Sequence, residues 1–216
     1  MPTSSPTVLL TGFAPFAGEA LNPSWEAVRA LDGRRIAGHR LVAVELPTAF
    51  GASLPALRRA LRTVRPCLAI AFGLAGGRAG ISLERVAINV IDARIPDNAG
   101  AQPIDAPVLR SGPAAYFSTL PIKAMRAALQ RADIPAGISQ TAGTYVCNQV
   151  FYGLMHAARR RRLPAGFVHV PWLPEQASRH AAPGMPLAQL QQAIGIMVRV
   201  ALEVDGDARI GGGAES

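Results

Sequence analysis

Short apolar runs alternate along this chain with longer segments whose apolar positions return every three or four residues. These are the two periods expected of strands and amphipathic helices. Residues 8–13, 41–46, 68–72, 86–91, 137–141 and 166–171 read as strands; residues 53–64, 122–131, 145–160 and 187–204 read as helices. A further helix is expected to begin at Asn22-Pro23-Ser24-Trp25. Asparagine caps well there, and proline suits a first turn whose N–H has no partner. The alternation predicts a largely parallel sheet with helices on both faces. In such sheets, sites form beyond the carboxyl ends of the strands.

The patterning is regular, without a linker-like shift or an internal repeat, so a single domain over residues 1–216 is expected. Residues 1–6 and the tail from 205 to 216, with its Gly211-Gly212-Gly213 run, are expected to be flexible. Residues 96–121 are rich in Pro, Gly, Asn and Asp and long for a connector. Such a stretch is often functional or contains a hairpin of its own.

Half of the residues are apolar and 17% are charged, a composition that builds a core and excludes wholesale disorder. The longest apolar runs, 7–17 and 67–75, fall short of the roughly 20 residues that cross a bilayer. The first six residues lack the basic start of a secretory signal. The expectation is a cytoplasmic protein with no membrane partner. The formal charge of +8 raises a nucleic-acid reading. Its densest cluster, Arg159-Arg160-Arg161-Arg162, falls where a predicted helix ends and cations complement the dipole. No recognisable nucleic-acid motif accompanies it, so a solvated helix end is expected and no specific nucleic-acid partner.

Two cysteines are too few for a disulfide framework. Cys67, in the run CLAIAF, is expected to be a small buried hydrophobe. Cys147 differs. Gly143 permits a turn, Thr144 is placed to cap the next helix, and Cys147 then falls at its third position. Backbone N–H groups and the positive end of the dipole favour an anion there, so a thiol pKa below about 8.5 is expected. Cys147 shares a helical face with Phe151, Leu154 and Ala158 and points inward. From spacing alone, a buried structural cysteine fits equally well.

His169 lies near the carboxyl end of an apolar run, pointing away from the face of Val168 and Val170. A lone histidine in such a run is more often a satisfied core residue, but a cysteine nucleophile needs an imidazole nearby in space. Glu84 precedes an apolar strand-like segment and is a candidate to orient that imidazole, although an ion pair with adjacent Arg85 is the simpler reading in isolation. The loop Gly73-Leu-Ala-Gly-Gly-Arg-Ala-Gly80 matches neither the dinucleotide fingerprint nor the P-loop.

Together these segments resemble the pyroglutamyl peptidase I family of cysteine peptidases. The resemblance rests on TGFAPFAG with NPSWEAV, GLAGGRAGISLERVAINVIDARIPDN, GPAAYFSTLP, and AGTYVCNQVFYGLMH followed by GFVHVPWLPEQ. It implies a single three-layer α/β/α domain around a mixed, largely parallel sheet. It also implies removal of an N-terminal pyroglutamyl residue from peptides, with no metal or organic cofactor, by a dimer or tetramer. By position the resemblance makes Cys147 the nucleophile, His169 the base and Glu84 the acid of a triad, with Arg94 close to the oxyanion. The lactam pocket falls on Phe13, Phe16, Asn22, Tyr145 and Val146. Leu74 stands where many members carry Gln, which puts lactam affinity in question. Two alternatives remain open at this point: a related amide hydrolase with another N-terminal substrate, and a non-catalytic binding protein on the same scaffold.

Overall fold

A computed structural model describes residues 5–213; the remaining parts of the two expected flexible ends lie outside the described residues. The strands are β1 (Thr7–Phe13), β2 (Arg35–Ile36), β3 (His39–Leu46), β4 (Leu68–Leu74), β5 (Ile81–Glu84), β6 (Val86–Ile88), β7 (Ala115–Phe117), β8 (Ala136–Ser139) and β9 (Ala165–Val170). The helices are α1 (Pro23–Arg29), α2 (Phe50–Val64), α3 (Ile122–Arg131), α4 (Val146–Arg159), α5 (Pro174–Arg179) and α6 (Leu187–Glu203).

Seven strands form the central sheet in the order β2-β3-β1-β4-β9-β5-β8. The pairs β3–β1, β1–β4, β4–β9 and β5–β8 are parallel, while β2–β3 and β5–β9 are antiparallel. The sheet is therefore mixed. Its two faces follow from the alternation of side chains along each strand. Val8, Leu10, Ile70, Phe72, Leu83, Val168 and Val170 bury one face with residues of α1, α3 and α6. Leu9, Phe13, Ala69, Ala71, Ala165 and Phe167 bury the other with α2 and α4. This is the expected α/β/α arrangement.

Helix α1 starts as its sequence predicts. Asn22 caps it by accepting from the Ser24 N–H at 3.1 Å, with Pro23 in the first turn. The long stretch 96–121 does not form a hairpin of its own: its strand β7 pairs antiparallel with β6, which precedes the stretch, as a separate small sheet. Toward the C-terminus, Asp207 accepts from the N–H groups of Lys123 and Ala124 at the start of α3. Arg126 and Arg85 bond the carbonyls of Gly211 and Gly212. Among the described residues, no helix is long and apolar enough to cross a membrane.

Two expectations are corrected here. Cys67 is exposed, because it precedes β4 at the open end of the sheet, where its thiol donates to the Thr7 carbonyl at 3.2 Å. Glu84 precedes a strand, β6, as expected, but it also ends one, β5, which the expected strand 86–91 left out. The apolar run 81–91 splits at Arg85: Ile81–Glu84 joins the main sheet, and Val86–Ile88 leaves it for the small one.

Candidate active site

Phe167 and His169 alternate on β9 with buried Val168 and Val170, so both face the α2/α4 side of the sheet. Glu84, alternating with Leu83 on β5, faces the same way. Its Oε1 accepts from His169 Nδ1 at 2.7 Å, and neither residue is more than 4% exposed. A carboxylate only accepts, so this bond places the imidazole proton on Nδ1 and leaves Nε2 as the free nitrogen. The edge of the His169 ring packs on Phe167, with centroids 4.9 Å apart. The same Glu84 oxygen accepts a second bond, from Arg78 Nη1 at 2.9 Å.

Cys147 is carried by α4, in the helix layer that His169 faces. Gly73 of β4 lies beside His169 in register, and a β-carbon at Gly73 would stand 2.9 Å from the Cys147 sulfur. Only a glycine leaves that space for the sulfur. The next two residues clamp α4 in place. Asn148 bonds the backbone of Ile88 in both directions and also the Val90 carbonyl. Gln149 accepts from Ser53 and donates to the Phe50 carbonyl on α2. The first turn of the helix that carries the thiol is thus fixed against two other elements.

The local details differ from expectation. Helix α4 starts at Val146 with Tyr145 as its uncapped N-cap, which puts Cys147 at the second helical position. Thr144 does not cap; its hydroxyl donates instead to the Asp92 carbonyl at 2.8 Å. The thiol is not lowered either. Burial, with the Glu84 carboxylate adding to it, pushes it up to about 12, and the Arg78 charge opposes this only in part. Desolvation outweighs the helix terminus. Burial thus favours the neutral thiol, and a neighbouring base is needed to take its proton. Because no side chain caps α4, its first N–H groups have no partner within the helix.

Cys147 and His169 open on a cavity of about 420 Å³. Phe13, Phe16, Asn22, Leu74, Arg94, Tyr145 and Val146 all line it, so every substrate-side position expected from the sequence comes together. Tyr145 packs edge-on against Phe50 and tilted against Phe16. Its hydroxyl donates to the Pro96 carbonyl at 2.9 Å. Burial pushes that phenol up to about 12, so it keeps its proton and the bond. Asn22 is committed to its capping role and to the Ala14 carbonyl while still lining the cavity. Arg94 is an exposed residue of the wall.

Sequence reasoning missed several contributors. Thr48, Ile95, Glu19 and Trp172 also line the cavity. Trp172 stacks on His180 at 4.5 Å, and His180 is bonded to Glu19 at 2.8 Å. Those partners are distant in sequence and left no local signal. Arg78 had one, its place in the glycine loop, but a loop position alone does not point to a salt bridge. A second cavity, about 470 Å³, lies at the other end of β4 beside Cys67 and holds none of the site residues.

The family model for pyroglutamyl peptidase matches residues 6–205. The chain is 59% identical to a pyrrolidone-carboxylate peptidase of Erwinia tasmaniensis and 58% identical to one of Cupriavidus taiwanensis, each match covering 96% of this chain and 98% of the relative. Among solved structures, it is similar to pyroglutamyl peptidase I from Bacillus amyloliquefaciens, with a TM-score of 0.93 and 44% identity over 96% of this chain and 100% of that one. A point variant of pyrrolidone carboxyl peptidase from Pyrococcus furiosus aligns with a TM-score of 0.89 and 42% identity, over 91% of this chain and 98% of that one. The chain belongs to the pyroglutamyl peptidase family, the cysteine peptidases that remove an N-terminal pyroglutamyl residue.

Proposed function

We propose that residues 1–216 act as one catalytic domain in which Cys147 is the nucleophile, His169 its general base and Glu84 the group that orients the imidazole. The observation that carries this reading is the Glu84–His169 bond at 2.7 Å beside a cavity that Cys147 also lines. The Cys147 sulfur attacks the carbonyl carbon joining the pyroglutamyl ring to the next residue, and its proton passes to His169 Nε2. Backbone N–H groups at the start of α4 meet the oxyanion, with the charge of Arg94 nearby. The tetrahedral adduct collapses to a thioester as His169 returns the proton to the departing amine. Water, deprotonated by the same imidazole, then hydrolyses the thioester and frees pyroglutamate.

The lactam is small and uncharged. Phe13, Phe16, Tyr145 and Val146 supply an apolar slot for it, and Asn22 supplies polarity at the wall. The chemistry assigned to these residues needs neither metal nor organic cofactor. The reading extends to a cytoplasmic enzyme acting on pyroglutamyl peptides, assembled as a dimer or tetramer. A panel of anilides tests the substrate class: pyroglutamyl anilide is cleaved, whereas prolyl, glutamyl and acetyl-alanyl anilides are not. Preference for any of the other three replaces this reading with that of a different amide hydrolase.

A further inference from the structure

Glu84 is fully buried, and its side chain meets two donors, both on Oε1. One is the His169 imidazole. The other is Arg78, whose side chain is 37% exposed and reaches inward from the turn between β4 and β5. Oε2 has no hydrogen-bond partner among the described residues. A carboxylate held out of water costs a great deal unless a cation and hydrogen bonds compensate it. Without a firmly held carboxylate on Nδ1, nothing fixes the His169 tautomer that leaves Nε2 free. Arg78 is the permanent cation on this carboxylate, since a guanidinium does not give up its proton in this environment. Arg78 does not line the substrate cavity.

We infer that Arg78 is a positioning residue of the reaction: its guanidinium holds the buried Glu84 carboxylate through a charged hydrogen bond to Oε1, so that the same oxygen holds His169 in the tautomer that accepts the Cys147 proton. The inference rests on the catalytic reading above and adds a fourth member to the Cys147–His169–Glu84 line. The charged and titratable groups that face Glu84 are His169 from β9, Arg78 from the turn and Cys147 from α4. Neighbouring Arg85 turns instead to the Gly212 carbonyl. Arg94 and Glu19 belong to the cavity wall.

The placement of Arg78 suits this role. The surrounding turn is held tight, because a β-carbon at Gly76 would stand 2.6 Å from the Trp172 ring nitrogen and Gly77 has φ +87°. Both positions require glycine for the backbone to pass. The partly exposed arginine remains charged at low desolvation cost while its tip reaches the interior.

The test uses Arg78→Met and Arg78→Lys in the full chain, in a Cys67→Ser background. The pH profile of kcat/KM for a pyroglutamyl anilide is compared with that of the unsubstituted protein. The Met variant moves the acid limb up by about 1–3 pH units, through the loss of one close opposite charge, with KM unchanged. The Lys variant, which keeps the charge, lies between the two. Alkylation of Cys147 by iodoacetamide shows the same shift without any substrate, so a wrong substrate assignment and a wrong role for Arg78 give different results. Superimposable profiles in both assays, with only a lower Tm for the Met variant, overturn the inference and leave Arg78 a structural ion pair. A change confined to KM also overturns it, by making Arg78 a substrate contact.

Discussion

Gly73 and Cys147 share one small volume: a β-carbon on Gly73 would stand 2.9 Å from the sulfur and 2.8 Å from the Phe167 ring. Gly73→Ala therefore presses on the nucleophile from below while leaving the triad intact. Overfilling of this kind costs about 1–3 kcal/mol of stability, and a displaced nucleophile costs up to about 100-fold in rate. The expected result is a folded protein with a modestly lower Tm and kcat reduced by about tenfold or more, while KM changes little. Steady-state kinetics and a thermal melt check both halves.

Burial that favours the neutral thiol makes His169 necessary for reactivity at neutral pH. A thiol at about 12 lies well above its ordinary 9.0, so it stays protonated as pH rises through the usual thiol range. His169→Gln is expected to abolish iodoacetamide alkylation of Cys147 near pH 7 and to restore it only in strong alkali. The sign for stability follows: the folded state retains a proton that the unfolded chain releases above about pH 9, so this thiol lowers stability as pH rises past that point.

Glu19 works in the opposite direction. Its carboxylate accepts from Gln176, His180 and Arg179, and these bonds hold its pKa at about 2 instead of 4.5. A depressed carboxylate stabilises the fold above its unfolded value, and that contribution is lost as pH falls from 4.5 toward 2. Glu19→Gln should lower Tm near neutrality and flatten the decline of Tm between about pH 5 and pH 2.5. Thermal melts across that range check it. A variant whose acid limb parallels that of the unsubstituted protein contradicts it.

Leu74 ends β4 and lines the cavity. Leu74→Gln is expected to lower KM and leave kcat within about twofold, since a contact made equally in ground and transition states acts on binding alone. A clear rise in KM would count against Leu74 as a substrate contact.

Much of this architecture was legible before the structure. Helix α3 falls on its expected span, and β1, β3, β4, α4, β9 and α6 fall within a few residues of theirs. Their periodicity is strong because each buries a whole face. His169 was readable from parity, as its flanking valines already occupy the other side of β9. Strand β5 was hidden because it is short and directly joined to β6, so one apolar run served two sheets. Two errors at Cys147 share a cause. The Thr144 hydroxyl is taken by Asp92, 52 residues away, and the sulfur is buried against strands from elsewhere in the chain. Local rules for a helix start do not see either contact. Arg78 and the Trp172–His180–Glu19 wall likewise depend on pairings that only the fold creates.

The most direct measurement is the turnover of pyroglutamyl anilide under reducing conditions by the unsubstituted protein and by Cys147→Ser, with Cys67→Ser as the matched thiol control. Cleavage by the first and third proteins, together with its disappearance in Cys147→Ser, is the predicted result. Retained cleavage in folded Cys147→Ser, or none by the folded and reduced unsubstituted protein, would contradict Cys147 as the nucleophile of a pyroglutamyl peptidase.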